Sequence, residues 1–210
     1  MRSVLAPGGA LLAILSLAGC QSSNMLSRPN NAATSAETSD APQIVTAKTA
    51  FWAMDTAAHS WASDAALLRL SAKSVPGFTN ESGKAAMWEA VFASPGLHQY
   101  RLFTWSVAAL PPQIYKGVSA GLAMPWGGAT RDAMAIDTTQ FTVDSDAAWH
   151  TASTLAADWL RKNPDKELSA LELGETWRYA GPLWYVQWGD HTSGFSTMVA
   201  ADSGKILNRK

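Results

Sequence analysis

The sequence predicts an α+β fold made of two related repeats, each a helix followed by antiparallel strands, with every strand antiparallel. Three observations lead there. An apolar helical face occurs twice at a spacing of 98 residues, and each copy is followed by apolar and polar residues in alternation. The chain also carries ten tryptophans, most of them inside these periodic segments. An indole brings a large buried area with a single N–H to satisfy, which suits a small core held by packing alone.

The first helical face is drawn by Phe51, Met54, Ala58, Trp61 and Ala62, at i, i+3, i+7, i+10 and i+11. Adding 98 gives Trp149, Ala152, Ala156, Trp159 and Leu160, the same stripe on a helix of about 16 residues. Thr46 and Asp144 stand just upstream at equivalent places, where a side-chain oxygen caps the first free amides of a helix. Asn163-Pro164 ends the second helix, because proline disfavours a helical residue before it and has no N–H to donate.

Period-two alternation after each helix marks strands with one buried face. Leu68, Leu70 and Ala72 alternate with Arg69, Ser71 and Lys73, and a turn-rich stretch runs from Val75 to Gly83. Strands are expected over residues 84–93 and 99–110, joined by Ser94-Pro95-Gly96-Leu97-His98. After the second helix they are expected over 167–175, 182–189 and 194–201, with a short last strand over 205–208 behind the turn Asp202-Ser203-Gly204. Trp88 and Trp184 occupy matching places on the second strand of each set. Whether the two repeats share one sheet or form two is open at this level.

The chain begins with Arg2, continues through an apolar run from Val4 to Leu17 broken by Pro7-Gly8-Gly9, and reaches Leu17-Ala18-Gly19-Cys20. The run falls short of the roughly 20 apolar residues that cross a bilayer, and small residues precede the cysteine, as at a signal-peptidase cut. The segment resembles the lipobox of bacterial lipoproteins. That resemblance implies removal of residues 1–19 and acylation of Cys20, with the lipid chains as a membrane anchor. Gln21 stands where an aspartate would imply retention at the inner membrane, which points to the periplasmic face of an outer membrane. Residues 20–46 are rich in Ser, Asn, Thr, Ala and Pro and are expected to form an acylated, disordered tether. The first repeat then covers 47–130 and the second 131–210.

The second repeat resembles a PepSY/cystatin-like module, a helix packed on an antiparallel sheet. The resemblance rests on Ala152, Ala156 and Trp159, on Trp184-Tyr185-Val186-Gln187-Trp188, and on the ending from Val199 to Leu207. Ala200 and Ser203 stand where that family usually has Asp and Thr. The first repeat keeps only Val107-Ala108-Ala109 before Pro111-Pro112 departs from the pattern. The family resemblance implies binding to protein, including inhibition of secreted peptidases, more than catalysis.

Cys20 is the only cysteine, so a lipidated chain has no thiol for a disulfide, a zinc site or a nucleophile. With 16 basic and 17 acidic residues, of which the leader holds only Arg2, no basic stripe exists to recruit nucleic acid. Gly117-Val118-Ser119-Ala120-Gly121 fits the serine-hydrolase elbow pattern, and Asp137 with His150, or Asp190 with His191, completes a nominal triad. Pro125 and Gly127-Gly128 cut off the helix such an elbow needs, so the segment is expected to be a bend between the halves, with a Ser119 hydrolase as the rival reading. Asp55 and His59 lie one helical turn apart, but two ligands do not make a metal site. Asp144 and Asp146 are read as a helix start rather than a calcium loop. No metal and no cofactor are expected. Trp126, in Met124-Pro125-Trp126-Gly127-Gly128, stands outside the strand pattern and is the candidate contact residue for a partner. The expected function is that of a lipid-anchored, non-enzymatic envelope protein that binds another envelope protein.

Overall fold

The computed structural model describes residues 43–207. Its elements, in chain order, are α1 (Ala47–Trp61), β1 (Ala66–Lys73), β2 (Met87–Ser94), β3 (Gln99–Ser106), β4 (Gly117–Ala120) and β5 (Met124–Pro125), then α2 (Ser145–Lys162), β6 (Leu168–Gly174), β7 (Leu183–Trp188), β8 (Phe195–Ala200) and β9 (Ile206–Leu207). All nine strands belong to one antiparallel sheet in the order β4-β3-β2-β1-β6-β7-β8-β9, with β5 pairing the remaining length of β3. The fold is α+β, and the question of one sheet or two is answered by the β1–β6 pairing, Leu70 with Leu173 and Ser71 with Glu172. The first strand after each helix thus lies at the centre, and the later strands of each set run outward from it.

Both helices pack on the same face. The buried stripe of α1 is Ala47, Ala50, Phe51, Met54 and Ala58, and that of α2 is Ser145, Ala148, Ala152 and Ala156. Small residues let the backbones approach the sheet closely, so the large side chains that fill the core come mainly from the strands. Trp88 and Trp184 are fully buried and meet edge to face, their ring centroids 6.4 Å apart. Each indole N–H donates to a carbonyl just ahead of a helix, Trp88 to Val45 at 3.0 Å and Trp184 to Val143 at 2.9 Å.

The helix starts are tied to each other rather than capped alike. Asp144 accepts from the Ser145 amide at 2.7 Å and also from the Lys48 amide at 3.0 Å. The buried Ser145 hydroxyl accepts from the Ala47 amide at 2.9 Å. Thr46 occupies the N-cap of α1 but makes no side-chain cap bond, a departure from the expected equivalence. Side chains from the start of α2 therefore satisfy free amides of both helices. Gly83 closes this junction: a Cβ there would meet the Asp146 Cα and the Ser145 carbonyl oxygen, each at 2.4 Å.

Two further expectations change. Leu68 was expected to face the core with Leu70 and Ala72, but a β-bulge between Leu67 and Arg69 inserts one extra residue, and Leu67 joins the core cluster in its place. The Gly117–Gly121 segment is neither a bend nor an elbow. It is the edge strand β4, paired to β3 through Thr104 with Ser119 and Trp105 with Val118. Small residues suit an edge strand that carries little of the core, which is why they read as a bend. Asn163 ends α2 as expected, its side-chain amide donating to the Trp159 carbonyl at 2.8 Å.

Asp144→Ala removes acceptors from both helix starts and should lower the melting temperature, at about 1–2 kcal/mol for a lost cap and roughly 2–4 °C per kcal/mol in a domain of this size. Thr46→Ala should change it by far less. Thermal unfolding followed by circular dichroism of the two variants checks this, and equal losses would contradict the shared cap.

Candidate functional site

With both helices on one face, the other face of the sheet carries no helix. Alternation dictates what stands there. On β1, Leu70 and Ala72 point to the core, so Arg69, Ser71 and Lys73 point away from it. Cross-strand register then aligns a single polar row: Ser119 on β4 beside Thr104, Thr104 beside Glu89, Glu89 beside Ser71, Ser71 beside Glu172, and Glu172 beside Tyr185.

The centre of this row is a charged lattice. Lys73 Nζ lies 3.0 Å from Glu89 Oε1, and Arg69 Nε lies 4.0 Å from Glu172 Oε2. Between these pairs the Ser71 hydroxyl is buried, with the residue 5 % exposed, and has no hydrogen-bond partner among the described residues. A buried hydroxyl left unmatched is uncommon in native structures. Desolvation pushes the Glu172 carboxyl above its ordinary range; Arg69 and Lys73 oppose the rise and Glu89 adds to it. Farther out, the Thr104 and Ser119 hydroxyls are 2.6 Å apart, and the Tyr185 hydroxyl bonds to Gln187, whose amide donates to the Gly189 carbonyl at 3.2 Å. The face offers hydrogen-bonding and ionic groups held on the strands of one sheet.

The residues singled out from sequence are not brought together. Ser119 is bonded to Thr104, and among the described residues no histidine bonds to it. Asp137 and Asp190 instead organise their own turns. The Thr139 and Gln140 side chains hold Asp137 below the usual carboxylate range, and the Thr192 and Ser193 hydroxyls with their amides hold Asp190 far below it. His59 sits 3.4 Å from Asp55, whose carboxyl is raised by burial more than His59 lowers it. Asp144 and Asp146 belong to the helix start. Among the described residues no three His, Cys, Asp or Glu side chains form a metal-holding group.

Trp126 is partly exposed, and its amide donates to the His98 carbonyl at 2.9 Å, so the segment that stands outside the sequence's strand pattern is tied to the β2–β3 turn. The preceding Met124–Pro125 pairs with β3. Cys20 lies outside the described residues. Sequence reasoning missed Asp64, which clasps the β2–β3 turn through the Ser94 hydroxyl and the Gly96 amide, both at 2.6 Å. It also missed the Ser71–Glu172 centre, for which alternation alone supplied a signal on each strand but not the register between them.

Glu172 binds its proton more tightly when folded, so the stability it contributes is present at low pH and is lost as pH rises through the raised folded value. Glu172→Gln should therefore gain in melting temperature over wild type as pH is raised from about 4 to about 7. A flat difference across that range would contradict the desolvated carboxyl.

No protein-family profile matches the chain, and no curated protein matches it. Among solved structures, a provisionally named lipoprotein from Clostridium difficile 630 is similar, with a TM-score of 0.51 at 10 % identity, over 80 % of this chain and 95 % of that one. A likeness at that identity concerns the fold alone.

Proposed function

We propose that this chain is a lipid-anchored, non-enzymatic protein of the cell envelope that binds another envelope protein through the helix-free face of its sheet. The observation that carries the reading is the charged row centred on Ser71, where a buried hydroxyl lies unmatched between Lys73–Glu89 and Arg69–Glu172. Cys20 is the acylated residue, residues 1–19 are the leader and the tether runs from Cys20 to the point where Val45 pairs with Ala85, rather than to residue 46, on the periplasmic face of an outer membrane. The lipobox supports this. Trp126 is a contact residue for the partner.

The two halves, 47–130 and 131–210, are related repeats of PepSY type. Support comes from the mirrored strand order about β1 and β6, and from the indole bonds of Trp88 and Trp184 to carbonyls 98 residues apart in the chain. Ser119, bonded to Thr104 on an edge strand, is a structural side chain rather than a nucleophile.

Three measurements test the reading. Radiolabelled palmitate should enter the wild-type protein in cells and not Cys20→Ser; equal incorporation would remove the anchor. A photo-reactive residue placed at Arg69 or Thr104 should give discrete protein adducts, whereas one at Trp52, exposed on the outer side of α1, should not; adducts from Trp52 alone would overturn the assigned face. A fluorophosphonate probe should give no labelling that Ser119→Ala abolishes, and specific labelling would establish the hydrolase instead.

A further inference from the structure

One end of the sheet differs in chemistry from the rest of the surface. The β2–β3 turn, the β5 corner and the β6–β7 loop all lie at the strand ends next to the start of β1, because β2 ends and β3, β7 begin there. They present Leu97, Met124 and Trp177, the last 58 % exposed, with Leu122, 84 % exposed, on the adjoining edge. Trp126 lies among them, tied to His98. The remaining exposed large apolar side chains are divided among the helices, the edge strand and the opposite end, where Tyr115 stands.

At the same end two guanidinium groups approach the Trp177 ring, Arg131 at 5.4 Å and Arg178 at 5.9 Å from its centroid. Among the described residues neither has a carboxylate within ion-pair distance. Asp64 and Asp137, which share this end, have their carboxylates engaged by hydroxyl and amide donors. Glu175, which accepts from the Asp137 amide at 3.2 Å, adds negative charge here together with Asp132 and Asp202, so attraction for an anionic surface is local to the two guanidinia.

We infer that this end of the sheet is a second membrane contact, resting on lipid head groups through Trp177, Leu122 and Leu97, with Arg131 and Arg178 on phosphate oxygens. Indoles and arginines are the side chains that favour the head-group region, each having an apolar body and a polar or charged part that stays wet. The contacts run across about four strand spacings, roughly 19 Å, a footprint wide enough to orient a domain of this size. The inference rests on the lipid-anchor reading of Cys20. Reach is adequate: the chain enters the fold where Val45 pairs with Ala85, at the far end of β2 and about 26 Å from the contact, well within the roughly 80 Å that the residues between Cys20 and Val45 could span at most. So placed, the strands run along the membrane normal and the charged row of the open face stays free for a protein partner.

The test uses the full, lipidated chain in vesicles of phosphatidylethanolamine and phosphatidylglycerol. Because Cys20 is the only cysteine and is consumed by acylation, Leu97→Cys, Leu122→Cys and Tyr115→Cys each accept one environment-sensitive fluorophore. The probes at 97 and 122 should shift to the blue and the probe at 115 should not. Arg131→Gln with Arg178→Gln should weaken the docked state about fivefold per arginine in phosphatidylglycerol vesicles, and much less in vesicles of phosphatidylcholine alone. With Cys20 acylated, silent probes at 97 and 122, an equal shift at 115, or no loss in the double variant would overturn the membrane contact. A shift that arises only when envelope proteins are added would also overturn it, by assigning this end to a protein. Fluorophore found on Cys20 by mass spectrometry would instead defeat the anchor reading, and the second contact with it.

Discussion

The structure depends on how two helices enter one core without leaving their first amides and the preceding carbonyls unmatched. Trp88 and Trp184 meet at the middle of the sheet, and each turns its indole N–H to the carbonyl just ahead of a helix. Asp144 and Ser145 then serve the free amides of both helix starts. A buried backbone group without a partner costs free energy comparable to a lost hydrogen bond, so this junction sets where both helices begin and how closely they lie on the strands. It also accounts for Gly83, the residue whose lack of a side chain lets the β1–β2 loop close against the start of α2.

That junction has a consequence for the opposite face. Once both helices are held on one side, every second residue of the central strands faces the side that carries no helix. The centre of that face is occupied by charges of both signs, close to neutral in sum and held on rigid strands. Exposed ion pairs of this kind contribute little stability. The exposed indole and guanidinia at one strand end form a second surface of different chemistry, separated from the first by the edge of the sheet.

Much of the fold was legible in the residues. Both helices lie where the repeated stripe placed them, and the strands after α2 match the alternation to within a residue or two. Alternation is a local signal, so it survived. It failed at Leu68, because a bulge changes which side chain faces inward without changing composition, and at Gly117–Ala120, where small residues form an edge strand. The candidate site was far less legible. Arg69, Lys73, Glu89 and Glu172 each read as ordinary solvent-facing charges on their own strands.

The sequence by itself determined the order of the principal helices and strands, the apolar stripe on each helix and the paired tryptophans. These follow from periodicity and side-chain volume over short stretches. Only the tertiary structure decided that β1 pairs with β6, since residues about one hundred apart compete for a strand partner through register, which no local pattern records. From that one pairing come the single sheet, the sharing of caps between the helices, and the meeting of Ser71 with Glu172 at the centre of the open face.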